Sequence, residues 1–264
     1  MTTPKVESKP CFLTPKLMHP DYPLFVYLPG MDGTGQLLRS QTTGLEHGFD
    51  VRCLAIPRND LTRWEDLTNS VIDLIEIELS KNSQRPVYLC GESFGGCLAQ
   101  KVAVKAPHLF QRLILINSAS SFHLRPWYLW ASSLMSLVPE PLYNIGAIGL
   151  LPFLAAMGRI SESDRQELLE TVRSIPSETV MWRISLLREF HVEDSLLRRF
   201  TQPTLIIASS DDRLLPSLPE AQRLVSIFPN AKLVTLPNSG HACLLESDTN
   251  LYDILKENSF FENF

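Results

Sequence analysis

Pro86-Val87-Tyr88-Leu89-Cys90-Gly91-Glu92-Ser93-Phe94-Gly95-Gly96 is the stretch whose reading decides the fold. An apolar, β-rich run ends at Gly91-Glu92-Ser93-Phe94-Gly95, and Cys97 to Val104 continue in a helical pattern. Strand, tight turn and helix are the context that a G-x-S-x-G nucleophile elbow requires. A serine at the apex of so sharp a turn adopts a strained backbone. Its neighbours two residues away on either side must then be nearly free of side chain. Gly91 and Gly95 meet that demand, and Gly96 lets the helix pack closely under the strand. At ordinary Gly and Ser usage the pentapeptide alone is weak evidence. Its flanks give it weight.

Working outward, Leu24-Phe25-Val26-Tyr27-Leu28 reads as a buried strand stopped by Pro29-Gly30, and Phe49 to Ile56 as a second strand ending at Pro57. Trp64 to Lys81 carries Leu67, Val71, Leu74, Ile75 and Ile77 to Leu79 at helical period. Val87 to Cys90 is the third strand and Leu113 to Asn117 the fourth. Thr204 to Ala208 and Ala231 to Leu236 follow much later, separated by a helix from about Pro219 to Phe228. Ala242 to about Lys256 reads as one closing helix, and the proline-rich first 22 residues as an extended lead-in. Strands alternating with helices imply an α/β fold with a doubly wound, mostly parallel sheet covered on both faces.

Between Ser121 and Phe200 the alternation stops. The segment is helical in pattern and strongly apolar at first, with Trp127, Tyr128, Trp130, Leu134, Met135 and the run Leu150 to Met157; it later turns amphipathic. Pro126, Pro139, Pro141 and Pro152 cut it into short pieces. We read residues 1–120 and 201–264 as the core and 121–200 as an inserted helical cap or lid. The plainer reading is a set of further helices covering the sheet.

Composition narrows the function classes. The chain of 264 residues is 44% hydrophobic and 20% charged, enough for one large domain or one domain with an insertion. A formal net charge of -5 argues against nucleic acid as a partner. The N-terminal stretch has no apolar core of the signal-peptide kind, and no run of about 18 apolar residues occurs. Five cysteines, odd in number and set in apolar patterns, fit reduced thiols in a cytoplasmic protein. No C-x-x-C pair or zinc-like His/Cys spacing is present, so neither a metal nor a cofactor is expected.

Functional groups of open parallel sheets collect at the carboxyl ends of the strands. Four predicted loops end there with chemically able residues: Gly30-Met31, Ser93, Asp211-Asp212 and His241. A serine hydroxyl is a poor nucleophile until a base takes its proton, and His241 is suited to that task. A carboxylate must hold the imidazole tautomer, for which Asp211 and Asp212 compete. The tetrahedral oxyanion needs two donors, here the backbone N–H of Phe94 at the start of the elbow helix and that of Met31. His19, His47, His108, His123 and His191 lack such partners in the pattern, and Glu92 reads as structural or rim-lining.

With these residues in view, the chain resembles the α/β-hydrolase superfamily over nearly its whole length. Leu28-Pro29-Gly30-Met31-Asp32-Gly33-Thr34-Gly35, Val51-Arg52-Cys53-Leu54 and Gly91 to Leu98 look like an esterase, lipase and thioesterase group of photosynthetic organisms. That group includes the hydrolase part of plastid phytyl ester synthases, which move acyl groups onto phytol or diacylglycerol. The resemblance implies a Ser93-Asp212-His241 triad and favours Asp212, leaving Asp211 as a turn or capping residue. The acyltransferase-like region of those synthases is absent up to Phe264, as is any His followed five residues later by Asp. Hydrolysis is therefore expected ahead of transfer. The superfamily's first antiparallel hairpin has little room before Leu24, so a shortened sheet edge is expected.

The leading expectation is a serine hydrolase acting on a small apolar ester or thioester. Its cap would line a hydrophobic tunnel or touch a membrane or lipid-body surface. An acyltransferase using an alcohol such as phytol or diacylglycerol is the first alternative. A non-catalytic ligand receptor on the same fold is the second. Ser93 in the elbow excludes dehalogenase and epoxide hydrolase chemistry, which needs Asp there.

Overall fold

A computed structural model of the chain describes residues 9–14, 19–124, 149 and 151–261. Its strands are β1 (Cys11–Leu13), β2 (Leu24–Leu28), β3 (Asp50–Ala55), β4 (Val87–Glu92), β5 (Arg112–Ile116), β6 (Thr204–Ser209) and β7 (Ala231–Leu236). They form one sheet in the order β1-β3-β2-β4-β5-β6-β7, with only β1 antiparallel to its neighbour. The elbow strand β4 is the middle strand. This is a doubly wound, mostly parallel α/β sheet.

Continuous apolar runs make such strands because both faces are covered. Leu24, Val26 and Leu28 of β2 bury into one layer and Phe25 and Tyr27 into the other; Val87 and Leu89 of β4 oppose Tyr88 and Cys90 in the same way. The first layer holds helices α2 (Trp64–Leu79) and α3 (Phe94–Lys105), and the second holds α1 (Arg39–Leu45).

Three regions differ from the sequence reading. Cys11–Leu13 lies in the expected lead-in yet pairs with β3, Cys11 opposite Ala55. A three-residue, half-buried edge strand is too short to show alternation. The expected closing helix is broken: a 3-10 turn spans Cys243–Leu245, and helix α8 covers Leu251–Glu257. Asn250 caps α8 by accepting from the Asp253 N–H, a start signal that the apolar run before it obscures. Helix α1 carries no sequence signal either, because Arg39–Leu45 has no apolar period. Buried Gln41 anchors it, donating to the Leu244 and Thr249 carbonyls and accepting from the Leu251 N–H.

Of the segment 121–200, the early aromatic part (Trp127 to Val138) and Pro126, Pro139 and Pro141 lie outside the described residues. Residues 151–154 are helical, followed by α4 (Glu162–Ser174), α5 (Ser177–Glu189) and α6 (Asp194–Leu197). Val180, Ile184, Leu186 and Leu187 of α5 join the cluster that holds α2 and α3. Leu168 of α4 packs with Leu151, Ala155, Ile160, Ala242 and Leu245, at the His241 loop. Helix α7 (Ser217–Ile227) lies between β6 and β7 in sequence. No helix among the described residues is long and apolar enough to cross a membrane.

The elbow leaves no room for side chains. A Cβ on Gly95 would press into the Leu28 carbonyl of β2, and one on Gly91 into the Gly95 carbonyl. Backbone cannot yield as a flexible side chain can. Gly95→Ala is therefore expected to cost about 3 kcal/mol or more, read as a lower denaturation midpoint. Gly158→Ala, whose Cβ meets no described atom within 4 Å, is expected to stay within about 0.5 kcal/mol of the parent.

Candidate active site

The chain runs from β2 outward to β3, then returns to place β4 on the other side of β2. At such a reversal the loops leaving two adjacent strands diverge and open a crevice. Those two loops are Gly30-Met31 and Ser93. Ser93 has φ 52° and ψ −113°, a conformation that costs energy for any L residue with a side chain. Surrounding bonds hold it there: Ser93 N–H donates to the Ile116 carbonyl (2.9 Å), while its own carbonyl accepts from Gly96 (3.0 Å) and Ala119 (3.1 Å).

His241, in the loop after β7, reaches Ser93 Oγ through Nε2 at 2.9 Å and Asp212 Oδ2 through Nδ1 at 2.7 Å. The three side chains form one hydrogen-bonded line, with Ser93 9% and His241 6% exposed. Asp212 stands on the loop after β6. Its Oδ1 accepts from the Leu214 and Leu215 N–H groups, both at 2.9 Å, and its Oδ2 also accepts from the Ser217 hydroxyl. Asp211 is exposed and its side chain does not join the line.

Electrostatics follows from this burial. Desolvation alone would raise the Asp212 carboxyl, but His241, Ser217 and the Leu215 N–H hold it below the usual carboxylate range. Desolvation alone would lower the His241 imidazole. The Asp212 charge and hydrogen bond, with the Glu92 charge, outweigh that and raise it above 6.5.

Several supporting residues carry no signal in the sequence pattern. Asn117, at φ 44° after β5, donates to the His241 carbonyl (2.8 Å) and to Ser209 Oγ (2.9 Å) and accepts from Ser209 N–H. Glu246, fully buried, accepts from Gly240 N–H and Ser239 Oγ, both at 2.7 Å, and pairs with Arg159. Both fix the loop on which His241 rides. Asn117 comes from distant sequence, and only the fold brings it there; Glu246 follows His241 by five residues and turns back on the loop.

The expected oxyanion donors lie beside the serine. A Cβ on Gly30 would sit 3.8 Å from the Ser93 Cβ, so the Gly30-Met31 turn lies over Ser93. Phe94 is the first residue of α3, where an N–H has no acceptor within the helix. No described residue accepts from the Met31 or Phe94 N–H. The Phe94 ring stacks on Trp64, centroids 4.6 Å apart, and Trp64 Nε1 donates to the Leu186 carbonyl of α5.

Glu92 faces inward rather than lining a rim. It is buried and accepts from the Tyr27 hydroxyl. Burial pushes its carboxyl up to about 7, against the opposing pull of Tyr27 and His241. Among the described residues no group of three His, Cys, Asp or Glu side chains converges as a metal site.

The geometry agrees with the comparisons. The family described as alpha/beta hydrolase fold matches residues 23–248, from β2 through the His241 loop. The chain belongs to the α/β-hydrolase family. Within it, the chain is 34% identical over 260 residues to phytyl ester synthase 1 (chloroplastic) of Arabidopsis thaliana, covering 89% of this chain and 37% of that protein. It thus spans little more than a third of that relative's length. The proposed carbamate hydrolase RutD of Pseudomonas savastanoi pv. phaseolicola is 30% identical over 237 residues, covering 86% of this chain and 90% of RutD. Among solved structures, MenH from S. aureus superposes with a TM-score of 0.74 at 16% identity, covering 96% of this chain and 99% of MenH. That last likeness speaks for the fold alone.

A hydrolase of this geometry needs neutral His241, so its kcat/KM should rise with pH through a midpoint above 6.5. The Glu92 charge helps to raise that midpoint. Glu92→Gln is expected to move the acid limb to lower pH, measured as a kcat/KM–pH profile against the parent.

Proposed function

We propose that the protein is a serine hydrolase that cleaves carboxylic esters or thioesters of apolar acyl or isoprenoid compounds through an acyl-enzyme. The observation that carries this reading is the line Ser93 Oγ–His241 Nε2 and His241 Nδ1–Asp212 Oδ2, aligned under the Gly30-Met31 turn. As Ser93 Oγ bonds to the carbonyl carbon, its proton passes to His241 Nε2. Asp212 stabilises the resulting imidazolium, and the Met31 and Phe94 N–H groups receive the oxyanion. Collapse of the tetrahedral species breaks the bond to the leaving alcohol or thiol, which takes the proton from Nε2. An incoming water repeats the sequence, gives its proton to His241, and releases the acid and Ser93.

An apolar substrate is supported by the aromatic-rich inserted segment, which we propose as the lid. A cavity of about 240 Å³ beside the His241 loop, lined by Pro152, Phe153, Met157, Arg213 and Gly240 among others, gives room for part of a substrate. Similarity to RutD supports water as the acyl acceptor. Similarity to phytyl ester synthase 1 supports a second reading, in which an alcohol such as phytol takes the place of water in deacylation. Contact of the lid with a lipid surface accords with either.

Turnover of p-nitrophenyl acyl esters of increasing chain length, with and without phytol, tests both readings. Ser93→Ala is expected to reduce turnover by about 1,000-fold or more, with free acid the main parent product. Phytyl ester as the main product would move the reading to acyl transfer. Ester turnover unchanged in Ser93→Ala would refute both.

A further inference from the structure

The turn that covers Ser93 is held from two sides. Gly33 N–H donates to the Gly30 carbonyl at 3.0 Å, closing a turn with Met31 and Asp32 at its corners. The Gly30 carbonyl belongs to the same peptide plane as the Met31 N–H, so this bond orients the proposed donor. The next plane is held from outside the core strands. Arg183 of α5 donates through Nη1 to the Met31 carbonyl at 2.7 Å and through Nη2 to the Pro57 carbonyl at 3.3 Å. Asp32 completes the turn by accepting from Thr34 N–H at 2.8 Å and from the Thr34 hydroxyl.

Arg183 is costly to place there. It is 2% exposed, and the Asp32 and Asp60 carboxylates, which act on its charge, stand beyond ion-pair distance and offset its desolvation only in part. A desolvated cation that bonds only carbonyls is unfavourable unless its position serves something. The backbone has made space for it: Gly33 has φ +68°, and a Cβ there would lie 2.7 Å from Arg183 Nη1. Any other residue at position 33 would expel the guanidinium or distort the turn. Helix α5 is itself fastened nearby, Trp182 Nε1 donating to the Thr62 carbonyl and Trp64 Nε1 to the Leu186 carbonyl. One helix of the inserted segment therefore contacts the elements carrying both proposed oxyanion donors, through Arg183 at Met31 and through Trp64 at Phe94.

We propose that Arg183 is a positioning residue for the oxyanion turn: its fork, seated against Gly33, locks the Met31 peptide planes over Ser93 and places a buried positive charge behind the developing oxyanion. The inference rests on the hydrolase reading given above. A planar guanidinium suits two carbonyls at once; a lysine ammonium would keep the charge and lose the fork. The contribution grows as the oxyanion forms, so it belongs to kcat and not to substrate capture.

The test compares the parent with Arg183→Met, Arg183→Lys and Arg183→Ala on the best p-nitrophenyl ester, with Ser93→Ala as reference. Arg183→Met is expected to lose about tenfold to a hundredfold in kcat with KM within about threefold, less than outright deletion of a donor costs. Arg183→Lys is expected to fall between the two and guards against a Met variant that does not fold. Affinity for an alkyl trifluoromethyl ketone, whose serine adduct carries an oxyanion, should drop in step with kcat. Added methylguanidine should restore part of the activity of Arg183→Ala in a saturable way. A folded variant with parental kcat and ketone affinity would overturn the inference, as would a loss confined to KM without rescue. Parent turnover indifferent to Ser93→Ala would instead overturn the hydrolase reading, and this inference with it.

Discussion

The contact on which the site depends is between two backbones: Gly95 of the elbow helix lies against the Leu28 carbonyl at the end of β2. No side chain fits between them. That closeness holds Ser93 in its positive-φ turn at the mouth of the sheet and keeps the first turn of α3 beside the loop leaving β2. From one constraint come the Ser93 apex, the free N–H at the start of the helix and the turn above it. The strained residue is stable because the strands beneath it are buried on both faces and cannot shift.

The remaining groups are brought to this point by loops, and each loop is fastened by buried polar side chains. Asp212 accepts four hydrogen bonds, which keep a buried carboxylate ionised. Glu246 and Asn117 together fix the backbone on either side of His241. Through Arg159, Glu246 also joins the segment 151–200 to the same loop. The segment 151–200 thus touches the His241 loop at one end and the Gly30-Met31 turn, through Arg183, at the other.

The parallel sheet and the line Ser93, Asp212 and His241 were legible because each depends on local patterns: apolar runs, helical periods, and a reactive residue just past a strand. The choice of Asp212 over Asp211 needed the family resemblance, since spacing left it open. For Glu92 the sequence leaves a structural and a rim-lining place open; it turns inward to Tyr27, a partner 65 residues away that no local pattern reveals. Arg183 was equally hidden, because an arginine in an amphipathic helix ordinarily faces solvent. The edge strand Cys11–Leu13 and the interrupted C-terminal helix were missed where elements are too short for periodicity, or where an apolar run is a buried loop and not a helix.

The central claim is that Ser93, activated by His241, is the nucleophile. Its most direct test is intact-mass analysis and peptide mapping after exposure to an alkyl fluorophosphonate, in the parent and in His241→Gln. The account predicts one phosphonyl group per chain, on Ser93, formed about 100-fold more slowly or worse without the histidine. An adduct at another residue, no adduct, or a rate indifferent to His241 would contradict it.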